Sequence, residues 1–290
     1  MELNIRNVSL TFGQKLILDN INLNLHSGGL IGLIGLIGPN GAGKSTLLRT
    51  ISTILKPEKG NIFLDGVDIV KYPKKMRISL GYLPQQVPYY PHLTPIEYLQ
   101  YIAAIKGISK KQARSNIENL LTKFHLINAG NTKLADFSGG MRQRVGIAAT
   151  LLGDPKVIIV DEPIVGLDPL ERVTIRNVLA EMAVNHIVIL STHIISDIEA
   201  VASKIIVLKE GQILYTGSPE GLLQRVTNSV WEYTAPVNQV LNQLENVSSI
   251  AQEIDGIHIR VISQSKPNAE AVNVTPRLED ASLAILESGD

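Results

Sequence analysis

Gly38-Pro39-Asn40-Gly41-Ala42-Gly43-Lys44-Ser45 decides the fold of this 290-residue chain. An apolar run from Leu30 leads into it, and a helix-like stretch from Lys44 to about Leu55 leads out. The eight residues therefore read as a glycine-rich turn between a strand and a helix. Glycines let successive backbone N–H groups face an anion without side-chain interference. The helix that follows adds its positive N-terminal end. Lys44 can reach β- and γ-phosphates, and the Ser45 hydroxyl can bind Mg²⁺, so the pattern predicts a nucleotide site.

Further along, Val157-Ile158-Ile159-Val160 is a buried-strand run that ends in Asp161-Glu162. Such a strand delivers its acids at the carboxyl edge of an open α/β sheet, where ligands bind. There Asp161 would hold Mg²⁺ and Glu162 would orient and deprotonate an attacking water. Phe137-Ser138-Gly139-Gly140-Met141-Arg142-Gln143-Arg144 opens a helix, with Ser138 able to cap it and Gly139 and Gly140 leaving N–H groups bare for an anion. Residues 2–25 alternate as half-buried strands, and Asn61–Leu64 reads as a strand closed by Asp65-Gly66. Leu80–Leu83 and Ile187–Leu190 are further strands. Pro169 to about Ala183 is a helix, and residues 86 to 150 show helical spacing at Ile96, Leu99, Ile102, Ile117 and Leu120. Strands alternating with helices imply a parallel sheet with right-handed crossovers.

Composition narrows the function class. Twenty-seven Lys and Arg balance 27 Asp and Glu, which argues against a dedicated DNA-binding protein. The chain has no cysteine, which excludes disulfides, thiolate metal sites and a cysteine nucleophile. The longest apolar stretch, Gly28–Gly38, is about half the length of a spanning helix and rich in glycine. Neither a signal peptide nor a lipidation signal is visible, so the expectation is a cytoplasmic, soluble chain. Residues 227–290 carry nine acidic against three basic residues and read as a separate small α+β unit.

Together these motifs resemble the ATP-binding-cassette (ABC) ATPases over residues 1 to about 220. Gly38–Thr46 matches the phosphate loop, Phe137–Val145 the signature, and Val157–Pro163 the Walker B strand. Gly166–Pro169 is similar to the D-loop, Ser191–His193 to the switch histidine, and Gly81–Gln85 to the Q-loop. Phe12 stands where an aromatic stacks on adenine. The resemblance implies an α/β P-loop NTPase cassette: a parallel sheet core, an antiparallel β subdomain, a helical subdomain at about 86–150, and a small C-terminal α+β extension, with the cassette ending near 226. Its ligands would be ATP and Mg²⁺. Gly38, Pro39, Asn40, Gly41, Ala42, Gly43, Lys44, Ser45 and Thr46 would bind nucleotide from one subunit, and Ser138, Gly139 and Gly140 from the other. Glu162, His193 and Gln85 would serve catalysis, and Ser45, Gln85 and Asp161 would hold the metal. The implied partners are a second ATPase subunit, a homodimer in the simplest case, and an integral membrane permease, with no nucleic acid. The chain would then lie peripherally on the inner face of the cell membrane.

The ending Val274-Thr275-Pro276-Arg277-Leu278-Glu279-Asp280 resembles that of ATPases serving bacterial multidrug, antibiotic and sodium exporters, which favours export. An importer ATPase with a regulatory tail is the near alternative, and a soluble non-transport ABC protein the more distant one. Ile164, where the family often has Thr or Ser, is expected to matter little. The threefold Gly-Leu-Ile unit in Gly29–Ile37 is longer than usual. The strand is expected to keep its register beside the loop and push the surplus into the Ser27–Leu30 turn; the other outcome is a weakened nucleotide site. Tyr89, Tyr90 and Tyr98 suit either a partner surface or ordinary packing. No His pair shows metal-ligand spacing.

Overall fold

The computed structural model describes residues 1–27, 33–235, 246–253 and 256–288. Strand β1 (Glu2–Phe12) and β2 (Lys15–His26) form a hairpin that β4 (Lys59–Leu64) and β5 (Val67–Asp68) extend into an antiparallel sheet of order β2-β1-β4-β5. Leu3 and Ile5, then Val8 and Leu10, point into a core with a period of two on either side of an irregularity at Asn7, where φ is 50° and the pairing register shifts.

The second sheet positions the site. Its order is β10-β9-β3-β8-β7-β6, from β3 (Leu33–Ile37), β6 (Leu80–Leu83), β7 (Val157–Asp161), β8 (Ile187–Thr192), β9 (Ala202–Lys209) and β10 (Gln212–Gly217). All neighbours pair in parallel except the β9–β10 hairpin. Both faces are covered. Ile34 and Leu36 of β3 join the core under the antiparallel sheet, whereas Leu33 and Ile37 join the core under the helices. Each such fully buried aliphatic side chain contributes about 2 kcal/mol. The alternation recurs in β7, where Val157 and Ile159 face one core and Ile158 and Val160 the other.

Helix α1 (Lys44–Ile51) follows the glycine turn. It ends four residues before Leu55, because Thr53 adopts a left-handed φ of 60° that stops the helix. Helix α2 (Pro73–Ser79) was not legible in the spacing. Between β6 and β7 the described chain is helical: α3 (Pro95–Ile105), α4 (Lys110–Lys123), two short 3₁₀ turns and α5 (Gly139–Leu151). Thr94 and Glu97 form a reciprocal capping box at the start of α3. The Lys106 ammonium, which burial lowers to a pKa of about 8, binds the carbonyls of Ala149, Thr150 and Leu152 at the end of α5. Helix α6 (Pro169–Ala183) matches its predicted span.

Past β10, α7 (Ser196–Glu199) having intervened before β9, come α8 (Pro219–Gln224) and a third, antiparallel sheet. It comprises β11 (Val230–Ala235), β12 (Val247–Glu253), β13 (Gly256–Ile262) and β14 (Val272–Asn273), in the order β12-β13-β11-β14. Helix α9 (Leu278–Ser288) closes the chain and buries Leu278, Ala281 and Ile285 in the main helical-side core. A buried ion pair ties it to the third sheet: Arg260 Nη2 lies 2.8 Å from Asp280 Oδ2, and Arg260 Nε 3.1 Å from Oδ1. Burial alone would raise the Asp280 carboxyl. Hydrogen bonds from Arg260, Ser248 and the Arg277 N–H, together with the guanidinium charge, outweigh it and leave the pKa below the ordinary value.

Beside the glycine turn, β3 pairs with Ile37 opposite Thr192; the surplus expected at Ser27–Leu30 falls, apart from Ser27, outside the described residues.

Two predictions follow from these elements. Removing Gly29–Ile31 leaves Leu-Ile-Gly-Leu-Ile in front of the glycine turn, so the melting temperature is expected to move by less than about 3 °C in a thermal scan. Asp280→Asn removes one of the two carboxylates on the buried Arg260, leaving Glu232 Oε2 at 3.3 Å and the Thr275 carbonyl, and is expected to cost about 2 kcal/mol in denaturant unfolding at pH 7. A carboxylate whose folded pKa is depressed stabilises above its unfolded pKa of about 3.9, so the deficit should shrink as pH falls below about 4.

Candidate functional site

Parallel pairing brings four carboxyl strand ends to one edge. Ile37 lies opposite Thr192, Asp161 opposite Ser191, and Leu83 opposite Val160. The glycine turn, Gln85, Asp161-Glu162 and His193 consequently emerge side by side, the arrangement in which open α/β sheets bind ligands.

The turn itself is held from below. A Cβ on Gly38 would run into the Leu208 carbonyl oxygen, and the Gly211 N–H donates to the Ala42 carbonyl at 2.9 Å. Gly43, the N-cap of α1, has φ 104°, a left-handed backbone that glycine adopts without cost, and no side chain caps the helix. The first N–H groups of α1 are left to a ligand. Lys44 is buried, and its Nζ donates to the Gly38 carbonyl at 2.6 Å and the Pro39 carbonyl at 3.1 Å. Burial pushes its pKa below the ordinary lysine value, and the charges of Glu162 and Asp161 partly offset this. Pro39, Asn40, Gly41 and Ser45 are exposed, whereas Thr46 is half-buried.

Opposite the lysine, Glu162 Oε1 stands 4.0 Å from Lys44 Nζ, and Oε2 lies 2.9 Å from His193 Nδ1. An ionised carboxylate only accepts, so the imidazole Nδ1–H donates and Nε2 remains for another partner. Glu162 has φ 52°, a costly backbone for a residue with a Cβ, and strain of this kind gathers at functional sites. Ser191 compensates: its carbonyl accepts the Glu162 N–H at 3.1 Å, and its hydroxyl lies 3.2 Å from the same N–H. That hydroxyl also donates to Asp161 Oδ1 at 2.5 Å. One side chain thus fixes both acids. In the sequence Ser191 stands only as part of the switch motif; its position at the end of a fully buried strand is the available signal.

Other predicted residues stand apart from this cluster. Ser138 caps α5 by accepting the Met141 N–H at 3.1 Å, and Gly139 is exposed. None of the polar contacts found for Ser138, Gly139 and Gly140 joins them to Lys44 or Glu162. They are tied elsewhere: the Glu171 carboxylate packs on Gly140 and pairs with Arg144 at 2.9 Å, and Gln143 Nε2 donates to the Pro163 carbonyl at 3.0 Å. These tethers were not legible, since they join α5 to residues about 20 or more positions on, in α6 and in the turn after β7. Phe12 is half exposed at the β1–β2 turn, and Ile17 of that hairpin places its carbonyl 2.9 Å from where a Gly43 Cβ would stand. Gln85 is exposed just beyond β6. Tyr98 is buried with its hydroxyl on the Pro88 carbonyl, so it is a packing residue, whereas Tyr89 and Tyr90 are exposed. Among the described residues no cluster of three or more His, Asp or Glu could hold a metal by itself. The hydroxyl, amide and carboxylate oxygens of Ser45, Gln85 and Asp161 do suit a hard cation that takes its remaining ligands from phosphates and water.

A family model described as ABC transporter matches residues 18–165. The chain belongs to the ABC transporter family. A relative in Escherichia coli, named "Probable multidrug ABC transporter ATP-binding protein YbhF", is 31% identical over 284 residues, covering 92% of this chain and 48% of its own length. This ABC chain thus spans about half the length of that relative. The Chlorella vulgaris protein named "Probable sulfate/thiosulfate import ATP-binding protein CysA" is 34% identical over 231 residues, covering 79% of this chain and 96% of its own. A solved bacterial ABC transporter cassette, described as dimeric, superposes with a TM-score of 0.68 at 28% identity, covering 74% of this chain and 98% of that one. Ser191 lies beneath both acids. Ser191→Ala is expected to lower ATP turnover about 10- to 100-fold in a phosphate-release assay, the usual size of an effect that acts through an oriented ligand.

Proposed function

We propose that the chain is the ATP-binding and ATP-hydrolysing subunit of an ABC transporter and drives a separate membrane permease. The observation that carries this is the Lys44–Glu162–His193 chain standing over a bare helix N-terminus. Phosphoryl transfer needs positioning and charge stabilisation more than covalent chemistry. The N–H groups of α1 and the Lys44 ammonium would bind the β- and γ-phosphates, and the Phe12 ring would stack on the base. Glu162 would accept a proton from the attacking water. His193, held by that same carboxylate, would contact the γ-phosphate. Mg²⁺ would be held by Ser45, Gln85 and Asp161 and would neutralise phosphate charge.

A second copy completes the site in this reading. Ser138 and Gly139, exposed at the start of α5, would serve a nucleotide bound to the partner. We assign residues 1–226 to the cassette, 86–150 to its helical subdomain and 227–290 to an accessory unit. A cavity of about 260 Å³, lined by Pro84, Val87, Pro88, Ile102, Ile105 and Gly146 beside the exposed Tyr89 and Tyr90, is the surface assigned to the permease. No helix among the described residues is long and apolar enough to cross a membrane, so the permease would hold the chain at the inner membrane face.

Export is favoured by the multidrug name of the E. coli relative and by the Val274–Asp280 ending. Import is the second reading, because the Chlorella relative carries an importer's name.

Glu162→Gln should lower ATP turnover by at least about 100-fold while leaving an ATP-stabilised dimer in size-exclusion chromatography, as expected for loss of a general base. Lys44→Ala should lose ATP affinity in a labelled-nucleotide titration. Turnover by Glu162→Gln at the wild-type rate would remove Glu162 as the base. Pull-down of Glu162→Gln from solubilised native membranes with ATP and Mg²⁺ should bring a stoichiometric polytopic protein; soluble partners alone would overturn the transport reading.

A further inference from the structure

Helix α9 is attached at both ends to the elements that carry the nucleotide site. At its start, the Leu278 N–H donates to Glu199 Oε1 at 3.3 Å. Glu199 ends α7, the short helix that begins three residues after His193. Within α7, Ile198 is fully buried and packs on Gly35 of β3, the strand that feeds the phosphate loop. At its far end, the Leu286 carbonyl accepts from Lys209 Nζ at 2.5 Å. Lys209 ends β9 and directly follows Leu208, whose carbonyl backs Gly38, and it precedes the turn in which Gly211 binds Ala42. Between these ends, Leu278, Ala281, Ser282 and Ile285 are buried at helical spacing, three of them in the core shared with β3, β8 and β9. The Arg260–Asp280 pair then fastens α9 to the third sheet.

The geometry points to Glu199 and Lys209 as positioning residues for ATP hydrolysis. Through the two ends of α9 they hold, respectively, the segment carrying His193 and the β9–β10 turn behind the phosphate loop. The C-terminal unit therefore sets the geometry of a site to which it contributes no ligand. The two ends predict separable effects. Loosening Glu199 frees the histidine, which meets the γ-phosphate, and should act on the chemical step. Loosening Lys209 relaxes the phosphate loop and should act on nucleotide binding. A ligand or partner seated on the third sheet would act on both through Arg260 and α9.

This inference rests on the ATPase reading above and is tested in the full chain. Steady-state turnover, affinity for a fluorescent ATP analogue and the thermal midpoint are measured for Glu199→Ala, Glu199→Gln, Lys209→Met and Lys209→Arg. Glu199→Ala is expected to lower kcat about fivefold or more with KM for ATP within twofold, and Glu199→Gln, which keeps the acceptor oxygen, to restore it. Lys209→Met should raise KM and the analogue Kd about fivefold or more with kcat within twofold, and Lys209→Arg should restore both. Kinetic constants and affinities within twofold of wild type in every variant would overturn the inference, whether or not the thermal midpoint falls, because the contacts would then be structural alone. Equal losses in kcat and affinity from both alanine and methionine variants, without rescue by the conservative pair, would overturn it too. A wild-type chain that binds the analogue but turns over no ATP would instead overturn the ATPase reading, and the Lys209 pair would still be decided by the analogue Kd.

Discussion

The parallel register of β6, β7, β8 and β3 is the constraint on which the rest depends. β3, β7 and β8 are buried on both faces, and β6 on one, with Leu80 and Tyr82 half-buried on the other. The alternating side chains are thus committed to two cores, and a slip by one residue would exchange them. That commitment fixes where each strand stops. Because all four stop at the same edge, a glycine turn, a glutamine, a pair of acids and a histidine from positions 38 to 193 are gathered without a contact between them having to drive the gathering. Packing places the chemistry, and polar contacts such as those of Ser191 hold it.

Much of this edge was legible from sequence for the same reason. A residue at the end of a buried strand has its place set by a local pattern, and Asp161, Glu162, Lys44 and His193 all lie next to such a strand or turn. Signals failed where position depends on a distant partner. Ser191 carries two acids only because β7 and β8 are neighbours. Glu171 meets Gly140 and Arg144 only because α5 and α6 pack together. Helix α2 is short and opens on Pro73 without a polar cap, so neither period nor capping announced it. The mixture of strand and helix in the tail was legible, yet its attachment through Glu199 and Lys209 spans 79 and 77 residues of sequence, and no pattern reports that.

The phosphate loop and α5, the two elements proposed to grip nucleotide, are held by different means. The phosphate loop is fastened by backbone approaches that crowd a side chain, from β9 at Gly38 and from β2 at Gly43. The signature helix is fastened by side chains: Ser138 at its start, Arg144 and Gln143 along it, and Lys106 across its last carbonyls. Backbone packing is rigid, whereas side-chain tethers can be exchanged one at a time. Movement between the two elements is therefore expected to fall to the helical side, a hinge-type transition carried by the tethered element.

Lys44 adds a thermodynamic consequence. Its ammonium is already satisfied by two loop carbonyls, with hydrogen bonds that are charge-assisted and worth about 1.5–3 kcal/mol each. A ligand must replace these, so the lysine is an internal competitor and the observed affinity is the difference between two occupied states. A polyphosphate presents enough oxygens to outbid the carbonyls and to meet the helix N–H groups at once. A small monovalent anion does not. The loop thus discriminates by the number of contacts a ligand can offer together, and it does so before any part of the base is read.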